Sequence, residues 1–156
     1  LSGANETPRG LNVASGSLLT AITPNGINYS VRSYNPTTGA QQGNFPVVNN
    51  VRSMTFLSNG QVAVGADTSV TLYDLTGNVI AARNLGGAIN GIAQLDDSFY
   101  AVGVGSTAIQ AFLLGDNTLS VQATYNVTDV TDFVATLGGG APVATQASAS
   151  ARAVAC

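Results

Sequence analysis

Apolar residues along this chain do not recur at the 3.6-residue spacing of an amphipathic helix. They alternate with polar residues in short runs that close on turn residues. The pattern predicts an all-β fold. Residues 18–23 close on Pro24-Asn25-Gly26, 27–34 on Asn35-Pro36-Thr37-Thr38-Gly39, and 51–57 on Ser58-Asn59-Gly60. The same grammar runs through 61–66, 70–75 closing on Thr76-Gly77-Asn78, and 79–84 closing on Gly86-Gly87. It continues through 89–95 closing on Asp96-Asp97-Ser98, 99–104, 109–114 closing on Gly115-Asp116-Asn117, and 119–127. Asn and Gly suit such turns because they accept positive φ at little cost.

Laid over one another, these runs repeat at a spacing near 39. Val31-Arg32-Ser33-Tyr34-Asn35 returns as Val70-Thr71-Leu72-Tyr73-Asp74 (31 to 70, 34 to 73), and Ala63-Val64-Gly65 returns as Ala101-Val102-Gly103 (63 to 101). Strand openings at Val51, Ile89 and Val130 share one pattern: an apolar residue, two small or polar ones, then an apolar residue. Four strands per period is the pattern of a β-propeller blade. Residues 51–75 resemble repeats of the WD and quinoprotein-like propeller superfamily: a strand, the Ser58-Asn59-Gly60 turn, a second strand to Ala66, then Val70-Thr71-Leu72-Tyr73-Asp74 and Thr76-Gly77. Two clear repeats fall within 51–127, with weaker copies on either side. The Gly-His and Trp-Asp dipeptides of the WD pattern are absent, Tyr73-Asp74 standing where Trp-Asp would be, so the family's polar network does not transfer. The expected fold is all-β, built from repeated four-stranded antiparallel units and β-propeller-like. It is a small closed propeller, a piece of a larger one, or an array completed by another chain. Residues 1–10 read as an N-terminal segment, 11–137 as the repeat domain, and 138–156 as a Gly/Ala/Ser-rich segment that contributes a last strand or serves as a linker.

Composition narrows function mainly by exclusion. The 156 residues contain no His, Lys or Trp and a single Cys, which removes the commonest general base, metal ligand and Schiff-base nucleophile. Charged residues make up 8% of the chain, against roughly a quarter in ordinary globular proteins. The five cations, Arg9, Arg32, Arg52, Arg83 and Arg152, are scattered over a chain of net charge −3, whereas nucleic acid demands a clustered basic footprint. No apolar run approaches the roughly 18 residues that span a bilayer. Nucleic acid and a membrane span are therefore not expected, and neither is a cofactor.

The first residue is Leu1, not Met, which reads as a processed product or a fragment. Three Asn-x-Ser/Thr triplets, at Asn5, Asn28 and Asn126, are glycosylation candidates whose glycans would supply the hydration that charge does not. They point to an extracellular or surface location. Cys156, the only thiol, reads as an intermolecular disulfide candidate, a free reactive thiol or the cut point of a longer chain. Asp96 and Asp97 are adjacent, so on a strand they would face opposite ways, and they read as a solvated turn. Asp129 and Asp132 read as turn or capping residues, and no catalytic residue is expected. Two functions follow: a non-catalytic extracellular structural protein that self-associates into a filament, sheath or surface assembly, with other copies or other extracellular chains as partners; or a propeller lectin or adhesin that recognises a glycan or protein, in which Tyr29, Tyr34, Tyr73, Tyr100 and Tyr125 could stack on a ligand.

Overall fold

Alternation at this period builds one four-stranded antiparallel sheet after another. The computed structural model describes residues 6–14, 16–24, 29–47, 50–127, 130–134 and 143–146. Unit 1 comprises β1 (Glu6–Ala14), β2 (Ser17–Pro24), β3 (Tyr29–Tyr34) and β4 (Gln41–Val47). Unit 2 comprises β5 (Val51–Phe56), β6 (Val62–Ala66), β7 (Ser69–Tyr73) and β8 (Val79–Asn84). Unit 3 comprises β9 (Ile89–Gln94), β10 (Phe99–Val104), β11 (Ala108–Leu113) and β12 (Val121–Asn126). Each is a meander in which chain neighbours pair, and a two-stranded sheet follows, β13 (Val130–Val134) with β14 (Val143–Gln146). Val51, Ile89 and Val130 each open a first strand, so the repeat read from the sequence is the repeat of the sheets. β1 runs across residue 10 into the first sheet, and β14 lies within residues 138–156.

The units stand in a row, with their first strands side by side: β1 beside β5, β5 beside β9, and β9 beside β13. The second strand of unit 2, β6, is therefore covered on both faces by neighbouring units, and all five of its residues are buried. The fourth strands lie outermost, and β8 and β12 are mostly exposed. This position explains β4, a strand that the alternation did not predict. Its Gly43, Asn44 and Pro46 are poor strand residues, but an outer strand needs only one partner and tolerates a missing N–H.

The cores lie between units. Leu19, Val31 and Phe45 of unit 1 interlock with Met54, Val62, Val64 and Tyr73 of unit 2. On the opposite face of unit 2, Ala63, Val70 and Leu72 pack against Ile89, Tyr100, Val102 and Phe112 of unit 3. Cross-strand pairing produces this division, because paired residues share a face and their chain neighbours take the other. Val62 pairs with Tyr73 toward unit 1, and Ala63 pairs with Leu72 toward unit 3. The separation between units is small enough that a Cβ on Gly65 would run into the Ile89 side chain and lie 3.2 Å from Ile92 Cδ1. The far face of unit 3 carries a smaller cluster, Leu95, Ala101 and Ile109, and β13 packs along β9 and β10 on that side.

Candidate functional site

The carboxylates are the groups here most suited to acid–base work, and turns hold three of them, two between third and fourth strands and one between β9 and β10. Asp74 Oδ1 accepts the Thr76 N–H (2.9 Å), the Thr76 hydroxyl (2.7 Å) and the Asn78 N–H (2.9 Å), while Oδ2 accepts Asn78 Nδ2 (2.8 Å). Asp116 repeats the arrangement in unit 3: its Oδ1 accepts the Thr118 N–H (2.8 Å) and hydroxyl (2.6 Å), and its Oδ2 accepts the Ser120 N–H (3.1 Å). In unit 1 the neutral counterpart Asn35 accepts the N–H groups of Thr37 and Thr38. Asp96 closes the β9–β10 turn by accepting from Ser98 and Phe99. Hydrogen bonds from the Thr76 hydroxyl and then Asn78 hold the Asp74 carboxyl well below the ordinary carboxylate range, and Thr118 does the same for Asp116. A general acid requires the opposite shift. Among the described residues, no three His, Cys, Asp or Glu side chains converge in a way that could hold a metal ion.

The joints between units are more informative. Phe45, Arg83 and Tyr125 hold one register position, each on the fourth strand of its unit opposite Val31, Val70 and Ile109 respectively. In unit 1 that residue is the fully buried Phe45, whose ring meets Tyr73 of unit 2 edge-on at 5.7 Å and 76°. Beside it the β7–β8 turn lies on β4 so closely that a Cβ on Gly77 would strike the Asn44 carbonyl. In unit 2 the position is Arg83, whose guanidinium donates to the Leu119 carbonyl of unit 3. In unit 3 it is Tyr125, which remains 45% exposed. Leu113, paired with Phe99 and hence on the same face as Ile109 and Tyr125, is 39% exposed. The joint between units 2 and 3 also has a polar clamp. Gln94 accepts the Ser58 N–H (2.8 Å) and donates to the Ser58 hydroxyl (2.7 Å), and Gln61 reaches Asn117 at 2.9 Å.

No family model matches the sequence, and no curated protein matches it. Among solved structures, the chain superposes on the Dos1 propeller with a TM-score of 0.68 over 81% of this chain and 36% of that one, at 13% identity. The repeated unit is a propeller blade. A second solved structure, that of U3-55K, gives a TM-score of 0.59 over 76% of this chain and 41% of that one, at 16% identity. At these identities the likeness is one of fold, and the chain spans well under half the length of either neighbour. The described residues thus form three full blades and the inner two strands of a fourth.

The candidate residues read from the sequence fall unevenly on this frame. Asn126 is an exposed residue at the end of β12, whereas Asn5, Asn28, Asp129 and Cys156 lie outside the described residues. Asp132 is part of β13. Asp97 is exposed beside the capping Asp96, as expected of a turn. Tyr34, Tyr73 and Tyr100 are buried; burial raises the Tyr73 and Tyr100 hydroxyl pKa values, opposed at Tyr73 by a hydrogen bond with Thr71 and reinforced at Tyr100 by the charge of Asp116. Tyr125 is the tyrosine described as exposed. No helix among the described residues is long and apolar enough to cross a membrane. Sequence reasoning did not single out the Phe45, Arg83 and Tyr125 series, although their spacing (45 to 83, 83 to 125) follows the same period.

Proposed function

We propose that this chain is a non-catalytic protein-interaction module, working outside the cell as a piece of a larger assembly whose partners are further extracellular chains or copies of itself. The reading is supported by one observation above others: blades 1 and 2 each present, at the same register position, a residue that contacts the next blade. In the last full blade that residue is exposed. Contacts of this kind, ring packing and a side-chain bond to a carbonyl across facing sheets, suit a polypeptide surface better than chemistry at a pocket. The engagement of Asp74, Asp96 and Asp116 in their own turns adds weight, since it withdraws them from acid–base work. The low charge and the three sequons favour the extracellular setting.

Sedimentation velocity over a concentration series, with and without reductant, tests the reading when paired with chemical cross-linking in extracellular extracts of the source. The expected result is species larger than one chain, or a cross-linked polypeptide partner mapped to blade surfaces. A chain that stays monomeric at every concentration and cross-links to nothing would overturn it.

A further inference from the structure

We propose that Asn59 is a site of spontaneous deamidation, and that its conversion loosens the clamp between blades 2 and 3. The inference goes beyond the interaction-module reading and stands without it. Asparagine is a thermolabile residue, most of all before glycine, where no Cβ obstructs attack by the following backbone nitrogen on the side-chain amide. Two such dipeptides lie among the described residues, Asn59-Gly60 and Asn90-Gly91. The fold treats them in opposite ways.

Asn59 is an exposed corner of the β5–β6 turn. Its Oδ1 accepts the Gln61 N–H at 3.2 Å, which folds the side-chain amide over the intervening Gly60 peptide. That contact brings Cγ alongside the Gly60 nitrogen and puts a donor on the oxygen where negative charge grows during attack. Space beside Gly60 is open: a Cβ there would meet nothing within 4 Å. The Gly60 N–H donates to the Leu57 carbonyl at 3.0 Å, but a single bond at a hairpin tip opens at small cost. Asn90 lies instead within β9, where Gly91 pairs with Gly103 and the Asn90 amide donates to the Gly105 carbonyl. Attack there waits for the strand to open.

The reaction needs only water as co-reactant. A base in solution takes the Gly60 N–H proton, the nitrogen bonds to Asn59 Cγ, and the Cγ–Nδ2 bond breaks as Nδ2 gains a proton and leaves as ammonia. Water then opens the succinimide at one carbonyl to give aspartate, or at the other to give isoaspartate, which carries an extra methylene in the main chain. Either product adds a negative charge to a chain of net charge −3 and loses the bond from Asn59 Nδ2 to Gln61 Oε1 at 2.7 Å. Gln61 is the residue that reaches Asn117 of blade 3, and Ser58, on the other side, is held by Gln94. Isoaspartate lengthens the turn between them and so disturbs both halves of the clamp.

The test ages the full chain at mildly alkaline pH and then cleaves it after arginine, so that fragments 53–83 and 84–152 separate the two asparagines. Isoaspartate and aspartate should accumulate at Asn59 about tenfold or more faster than at Asn90 in the folded chain, and at similar rates once urea unfolds it. Asn59→Ser keeps a turn-forming oxygen and cannot react. The aged parent should melt a few degrees below fresh material, with faster amide exchange in β9 and β10, whereas aged Asn59→Ser should match its fresh form. Equal rates at the two sites in the folded chain, or an Asn59 that reacts only in urea, would overturn the site. Conversion at Asn59 with melting and exchange unchanged would overturn its effect on the clamp.

Discussion

Replacing Phe45 by Ala tests whether blades are held together by the joint rather than by their own sheets. The side chain is wholly buried, at 0% exposure, among Leu19, Val31, Met54, Val62 and Val64, with its ring edge-on to Tyr73. Truncating such a phenylalanine costs about 3–5 kcal/mol, of which the ring pair accounts for about 0.5–1.5 kcal/mol. That is a large share of the roughly 5–15 kcal/mol that holds a domain folded. For a chain of this size, each kcal/mol moves Tm by about 2–4 °C, so a fall of about 6–20 °C is expected in calorimetry. Location matters as much as size. Because the ring bridges β4 and β7, native-state hydrogen exchange should quicken mainly in β1 to β4, while β6 and β10, held by the joint between blades 2 and 3, keep most of their protection. Phe45→Leu should recover more than half of the loss. A loss below about 1.5 kcal/mol, or one uniform increase in exchange through all three blades, would refute the idea that this joint is what holds blade 1 to blade 2.

Other perturbations probe the turns, the close approach and the clamp. Asp74 has a folded pKa below its unfolded value, so its stabilising contribution is full above the ordinary carboxylate range and fades as pH falls from about 4 toward the lower folded pKa. Asp74→Asn should therefore lower the urea midpoint at pH 7, and the gap to the parent should narrow at pH 3. Gly65→Ala forces a methyl into Ile89 and should cost about 1–3 kcal/mol in the same assay with the denaturant slope unchanged. Gln94→Ala removes the bonds to Ser58 and to the Asp96 carbonyl and should cost about 0.5–1.5 kcal/mol, whereas Gln94→Glu should keep both Ser58 donors and lose only the bond to that carbonyl. If the chain is a secreted glycoprotein, peptide mapping of material from a eukaryotic secretory host should find a glycan on Asn126; an unmodified Asn126 there would count against that part of the reading.

Much of the fold was legible because strand alternation and repetition reinforce each other. Val51, Ile89 and Val130 are poor evidence singly, yet at a common spacing they mark the first strand of successive units. In the sequence Asp74 stands out only as the residue after Tyr73 where Trp-Asp would be, whereas the bonds from Thr76 and Asn78 make it the cap of a turn. β4 escaped because Gly43, Asn44 and Pro46 carry the composition of a loop, and an outer strand is held by pairing on one side and by the neighbouring turn. The joint series escaped for a different reason. Phe45, Arg83 and Tyr125 share no side-chain chemistry, so residue identity cannot reveal an equivalence that exists only in backbone register.

That diversity bears on how three look-alike blades avoid docking in the wrong order while the chain folds. From Asn35 to Asp74 the cap recurs after 39 residues, but from Asp74 to Asp116 after 42, and the lengthened stretch in blade 3 leads to the Leu119 carbonyl that Arg83 reaches. The shorter turn of blade 2 instead carries Gly77, which alone lets it lie on the backbone of Asn44. Each turn is thus cut to the strand that precedes it. Blade 3 set against blade 1 would bring the wrong turn to Phe45, and blade 2 displaced from blade 3 would leave a guanidinium without its acceptor. Sequence divergence at a shared position gives every blade an address, and mispaired or swapped arrangements, the characteristic failures of repeat chains, carry an energetic penalty before they can persist.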